Sequence, residues 1–343
     1  MKKIIALLLA ACLVFALCAC GSSAPAPAAD SLPADAQPAP SGDSSDSAPA
    51  AEKFVVGICQ LVQHPALDSA TQGFIDALTE ELGDAVEFDS QNASGDIPTC
   101  ATICNGFVAS KVDLIMANAT PALQAAAAAT DTIPVLGTSI TEYGVALDLK
   151  DFNGTVGGNV SGTSDLAPLD QQAQMIIDLF PSAKNVAILY CSAEANSVYQ
   201  ADVVEAYLEG KGLNVDRLTF TDSNDVALVT QTACASADVL YIPTDNVAAS
   251  CAEAIGNVAE PAGIPIITGE VNVCKVCGVA TLSIDYYNLG LTTGRMAAKI
   301  LKGEADISAM PIEYFENPVK MFNPELAAKF GVEIPSDFEA IED

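Results

Sequence analysis

The chain has no tryptophan, a single histidine and 14 Lys and Arg residues against 44 Asp and Glu. Each shortage removes a class of function. One histidine cannot build a His-rich metal centre. So few basic residues in so acidic a chain leave no stripe to attract a phosphate backbone, so nucleic acid is excluded as a partner. The sequence contains no phosphate loop, no G-x-S-x-G elbow and no H-E-x-x-H helix, and no cofactor is expected. The missing tryptophan means that any indole emission from the purified protein must come from something bound to it.

Long apolar runs are also scarce. The most extended one, Ile4 to Leu17, follows Met1-Lys2-Lys3 and ends at Leu17-Cys18-Ala19-Cys20-Gly21. It is short for a permanent span and has the charged, apolar and small-residue order of an export signal. From Gly21 to residue 53 the chain turns to Ser, Ala, Pro, Gly and Asp. That composition buries too little apolar surface to order itself and reads as a tether. Residues 1–20 are therefore expected to be a signal and 21–53 a linker.

Of 343 residues half are apolar, enough for folded cores and, by length, for two domains. Removing the signal leaves Cys59, Cys100, Cys104, Cys191, Cys234, Cys251, Cys274 and Cys277, besides Cys20. Cys274 and Cys277 have C-x-x-C spacing, which suits a redox pair or half a zinc site. No second half stands near them, so a local disulfide or free thiols are expected, as they are for Cys100 and Cys104, and no metal.

The body alternates strand and helix. Phe54 to Cys59 is a continuous apolar run, as in a strand buried on both faces. Leu67, Ala70, Phe74, Ala77, Leu78 and Leu82 then fall at helical spacing, and Gly83 is placed to stop the helix. Similar units recur at Leu114 to Thr130, Asn185 to Lys211 and Val239 to Pro261. This order predicts an α/β protein with parallel sheets in two doubly wound lobes. Such sheets hold ligands at the carboxyl ends of their strands, where helices begin with unpaired N–H groups. Polar residues gather at those ends: Gln60, His64 and Asp68 in Q-L-V-Q-H-P-A-L-D; Thr120, read as an N-cap with Pro121 at the first helical position; Tyr190, Asn196 and Ser197 in Y-C-S-A-E-A-N-S; and Thr244, Asp245 and Asn246 in P-T-D-N. Capping alone explains any one of them, and recurrence at four strand ends favours a shared site. His64 reads as a pocket or hinge residue, with a satisfied structural histidine as the alternative. Neither an orienting acid nor a nucleophile is evident beside it, so no catalytic residue is assigned.

The Q-x-x-x-H-P-A-L-D start, N-V-S-G-T-S-D at Asn159 to Asp165, Y-C-S-A-E-A-N-S, P-T-D-N and S-I-D-Y-Y-N-L-G at Ser283 to Gly290 together resemble the substrate-binding lipoproteins of ABC transporters, in particular the TrpX-like group of aromatic amino acid uptake. The resemblance runs from about Val55 to Asp337. It implies the type I periplasmic-binding-protein fold, with lobe one at 54–160 and 285–312 and lobe two at 161–284 and 313–343. It implies a lipobox with Cys20 as the lipidated residue, anchoring the protein to the outer face of the bacterial cell membrane, and a transporter permease as partner. The implied solute is tryptophan, tyrosine or phenylalanine. Its carboxylate would take donors from helix N-terminal amides and from the hydroxyls of Thr120 and Ser197, with Thr138 a further ligand-binding candidate. Its ammonium would take Asp245 first and Asp285 second, and its ring would pack on Tyr143, Tyr190 or Tyr286. A ligand-presenting sensor of the same fold, or an importer component for another small solute, is the alternative. The chain departs from the family pattern at Gln63, where an acidic residue is common, and at Glu142-Tyr143, where the family often has Asp-Pro.

Overall fold

The computed structural model describes residues 53–342, so the signal, Cys20 and all of the tether except Lys53 lie outside the described residues. The chain folds as two parallel-dominated sheets, each between layers of helix. The strands are β1 (Phe54–Gln60), β2 (Val86–Asn92), β3 (Leu114–Asn118), β4 (Val135–Ile140), β5 (Val160–Ser164), β6 (Asn185–Cys191), β7 (Asn214–Phe220), β8 (Val239–Ile242), β9 (Ile266–Thr268), β10 (Ala280–Ser283), β11 (Glu313–Tyr314), β12 (Val319–Phe322) and β13 (Glu339–Ala340). The first sheet runs β11-β5-β4-β3-β1-β2 and the second β13-β12-β10-β9-β8-β6-β7. Both contain the strand order 2-1-3 of a doubly wound unit, and only the β10–β12 pair is antiparallel.

The apolar runs beginning at Phe54, Leu114, Asn185 and Val239 form β1, β3, β6 and β8. Every residue of β3, β4, β5 and β8 is buried, as expected for central parallel strands covered on both faces. The chain passes between sheets after β5, between β10 and the helix Tyr286–Leu301, and between β11 and β12. Two sheet memberships differ from the sequence-based lobe borders. All of β5 belongs to the first sheet, so that crossing falls after Ser164 and not at 160. β11 pairs with β5, so the last crossing falls after Tyr314 and not at 312.

The helix Tyr286–Leu301 returns to the first lobe and lies along the helix Pro65–Leu82. Small residues allow the approach. A Cβ at Gly290 would sit 2.0 Å from the Ala70 carbonyl oxygen, and one at Gly73 would sit 2.2 Å from that of Tyr287. Glycine there is a packing requirement, because backbone meets backbone with no side chain between. This contact fixes where the hinge end of the helix Tyr286–Leu301, and with it Tyr286, stands.

Thr120 does not serve as the N-cap expected of it. Ala119, at φ 89°, holds the cap position of the helix Thr120–Ala129, and Thr120 is already its first residue. The eight cysteines are free thiols. Cys274 and Cys277 sit three residues apart on the helix Val271–Cys277, and burial pushes both thiols up, Cys277 to about 12. Cys59, Cys100 and Cys104 are buried together in the first core. Among the described residues no helix is long and apolar enough to cross a membrane.

Candidate ligand cleft

The carboxyl ends of the two sheets face each other across a narrow cavity. The first lobe contributes His64 and Leu67 after β1, Ser139 and Thr141 at the end of β4, Asp165 after β5, and Tyr286 at the hinge. The second contributes Asn196, Thr244, Asp245, Asn246, Ala249 and Glu270. Its free volume is about 10 Å³, room for roughly one water. A second cavity of about 120 Å³ adjoins it at Asn246, also between the lobes, walled by Leu61, Val62, Ile97, Ala193 and Val247, with Ser94, Thr221, Asp222, Ser223 and Ser250 among its polar lining.

The second-lobe wall is built from helix starts whose acidic caps are fully used. Asp245 accepts from the amides of Cys191 and Ala248, both at 2.7 Å. Glu194 accepts from the amides of Asn246 (3.2 Å) and Val247 (3.0 Å) and from the Asn246 side-chain amide (2.5 Å). Glu270 accepts from the amides of Asn272 (2.8 Å) and Val273 (2.9 Å) and from the Asn272 side chain (2.5 Å). Burial raises all three carboxyls, Glu194 to about 8, against the lowering effect of these bonds.

The first-lobe wall is less self-sufficient. Asp165 is 4% exposed, and its Oδ2 accepts a 3.0 Å bond from the Tyr286 hydroxyl while Oδ1 has no partner. Burial raises its pKa to about 6. Ser139 stands at φ 56°, where the register of β4 against β5 shifts, and its buried hydroxyl is also unpartnered. A non-glycine residue held in that region stores strain, a feature that collects at ligand sites. His64 Nε2 lies 3.2 Å from Asn246 Oδ1 across the cleft, and Nδ1 has no partner. Burial lowers its pKa and keeps the ring neutral near pH 7. Of the six buried side-chain atoms without a hydrogen-bond partner among the described residues, His64 Nδ1, Ser139 Oγ, Asp165 Oδ1 and Asn196 Oδ1 belong to residues of this one cavity. Native folds rarely leave such groups unpaired, so their convergence defines a place for a polar solute.

Of the residues named from the sequence, His64, Asn196, Thr244, Asp245, Asn246 and Tyr286 line the cavity. The others do not. Gln60 donates to the Val62 carbonyl and to Asp68 and accepts from Thr71, so both Gln60 and Asp68 serve the loop that enters the first helix. Thr138 points into the core, where its hydroxyl joins those of Thr163 and Thr293. Tyr143 buries its hydroxyl on the Gly137 and Thr163 carbonyls, and Tyr190 packs in the second core. Ser197 and Thr120 are buried away from the lining, and Asp285 is an exposed cap of the helix Tyr286–Leu301. The sequence reading missed Leu67, Ser139, Thr141, Asp165, Glu194, Ala249 and Glu270. Asp165 closes the quoted N-V-S-G-T-S-D motif and Glu194 lies within Y-C-S-A-E-A-N-S, so position after a strand was the signal available for both.

Two wound lobes enclosing a polar cavity at their strand ends define a two-lobed solute-binding protein. The family described as ABC transporter substrate binding protein matches residues 55–341, and the chain belongs to it. Members of that family work outside the cytoplasm, presenting solute to a transporter. A tyrosine-binding protein of Clostridioides difficile (strain R20291) is 36% identical over 273 residues, 79% of each chain. A Streptococcus pneumoniae ABC domain solved in complex with L-Trp is 33% identical with TM-score 0.79, covering 83% of this chain and 97% of that one. A substrate-binding protein with adhesive properties from Clostridium difficile, solved ligand-free and open, is 35% identical with TM-score 0.64, covering 84% and 99%. At nearly equal identity, the chain superposes better on the tryptophan complex than on the open form. His64 meets Asn246 across the cleft.

Proposed function

We propose that this protein captures an aromatic amino acid between its lobes for an ABC importer. The observation that carries the reading is the set of unpartnered buried atoms converging on one inter-lobe cavity. Asp165 receives the ammonium: it is the carboxylate with a free oxygen, and a charge-assisted bond there removes the cost of its burial. Asp245, the first choice from sequence, has both oxygens occupied by backbone amides and shapes the wall. The adjoining cavity, apolar in its body and polar at one side, takes the ring. The names of the tyrosine-binding and tryptophan-bound relatives favour that ring being aromatic. Opening and closing of the lobes admits the solute and creates the shape that a permease reads. Cys20 carries lipid and holds the protein at the outer face of the membrane.

Calorimetry on the tag-free mature domain, unfolded and refolded to strip retained solute, tests the reading: at least one of tryptophan, tyrosine and phenylalanine binds one-to-one. Natively refolded protein that binds none of them at millimolar concentration overturns it. Cys20→Ala is expected to release the protein from membranes or block its processing. Unchanged membrane attachment would remove the anchor.

A further inference from the structure

An amino acid brings two charged groups, and the cavity is unequally equipped for them. An ammonium has three donors and no acceptor. Three of the four unpartnered atoms are acceptors placed for it. Asp165 Oδ1 is one. Asn196 Oδ1 is the second, since the same side chain's Nδ2 donates to the Thr244 carbonyl at 3.0 Å. His64 Nδ1 is the third. Asn246 donates through Nδ2 to Glu194, so its Oδ1 must accept from His64 Nε2–H, which leaves the lone pair of the neutral ring on Nδ1.

A carboxylate needs the reverse, and the lining offers it hydroxyls but no cation. The one donor among the lining's unpartnered buried side-chain atoms is the Ser139 hydroxyl, the Thr141 hydroxyl stands beside Asp165, and no Lys or Arg lines the cavity. The opposite wall carries the carboxyls of Asp245 and Glu270. Each would disfavour a buried anion. Recognition is therefore concentrated on the amine, with the carboxylate accommodated.

We propose that the ligand class extends to aromatic primary amines without a carboxylate, the decarboxylated counterparts of the aromatic amino acids, bound at the same three acceptors. The inference rests on the amino acid reading of the same cleft. The ammonium of such an amine keeps its three bonds, and the desolvation of one buried anion is avoided.

The test is calorimetry on the refolded domain with each of the three amino acids, its amine (tryptamine, tyramine, phenethylamine) and its deaminated acid (the matching arylpropionate). For whichever amino acid binds, the amine is expected within tenfold of its affinity, and the arylpropionate at least a hundredfold weaker. Ser139→Ala should weaken the amino acid by a few-fold and leave the amine unchanged. If the amino acid binds and its amine is more than tenfold weaker, or the arylpropionate binds comparably, the inference falls while the amino acid reading stands. If neither amino acids nor amines bind, both fall.

Discussion

The two walls of the cleft solve the same problem in opposite ways. On the second lobe, strand ends run into helices whose first amides are capped by Glu194, Asp245 and Glu270, and every carboxylate oxygen is committed to the fold. On the first lobe, the ends of β4 and β5 lead to Ser139 and Asp165, each holding an unpartnered polar atom. One wall is a finished surface and the other an incomplete one, which the solute completes. A buried aspartate at a strand end is thus ambiguous until its partners are counted. Asp245 and Asp165 share residue type, burial and position, yet one stabilises the protein and the other is free to bind.

The largest effect expected from breaking this contrast is on stability. Asp245→Ala removes the acceptor for two buried amides and is expected to cost about 2–4 kcal/mol, read as the shift of a urea midpoint at constant slope. Asp165→Asn should leave stability unchanged or higher, since it removes a carboxyl that burial disfavours. In affinity the ranking inverts. Asp165→Asn is expected to weaken amino acid binding by about one to two orders of magnitude, equivalent to about 1.5–3 kcal/mol for a charge-assisted bond. Equal losses of affinity in Asp165→Asn and in the conservative Asp245→Asn would show that the two walls are not specialised.

A smaller and more graded effect follows from pH. The ligand ammonium needs Asp165 ionised and His64 neutral. Asp165 titrates at about 6 in the folded protein and His64 below its usual 6.5. Affinity should therefore be flat above pH 7 and fall below pH 6, approaching tenfold per unit from Asp165 alone. Stability of the ligand-free protein carries the opposite sign for this group. A carboxyl raised from 3.8 to about 6 on folding binds more protons in the native state, so its contribution is full below pH 3.8 and is lost as pH rises through 6. Subtracting the profile of Asp165→Asn isolates both slopes from those of His64, Glu194, Asp245 and Glu270. An affinity that is unchanged at pH 5 would remove Asp165 from ligand contact.

The contrast also explains what the sequence could disclose. Buried parallel strands write continuous apolar runs, and helices write a 3.6-residue period, so the lobes were legible from Phe54 onward. Caps write a signature too, a short acidic or amide residue before a helix, and Asp245 and Asp285, chosen for their places at strand ends, both carry it. That signature reports a carboxylate the backbone already uses. A free carboxylate such as Asp165 has no local partner and so no local pattern. Thr138 lies one residue from the lining. Its side chain faces the core with Thr163 and Thr293, while Ser139, at positive φ beside a register shift, faces the cleft. The tyrosines diverge for another reason. Tyr143, at the start of a short helix, is buried in the first core and Tyr190, in β6, in the second, while Tyr286 is on the lining.

The smallest expected effect is the sharpest control. Asp285, the second choice for the ammonium from sequence, is exposed and caps the helix Tyr286–Leu301 through the Asn288 amide at 3.0 Å, outside the cavity lining. Asparagine caps a helix about as well as aspartate, so Asp285→Asn should change stability by no more than about 0.5 kcal/mol. Its charge lies in water, where screening over about 8 Å at physiological ionic strength removes most of its pull on a ligand inside the cleft. Affinity should then stay within twofold of the parent at 0.15 M salt, while Asp165→Asn, a chemically identical change on the far side of the hinge, loses ten- to a hundredfold. A tenfold loss in Asp285→Asn, with circular dichroism and urea midpoint unchanged, would move the ammonium to the hinge and return the first-lobe wall to a structural role.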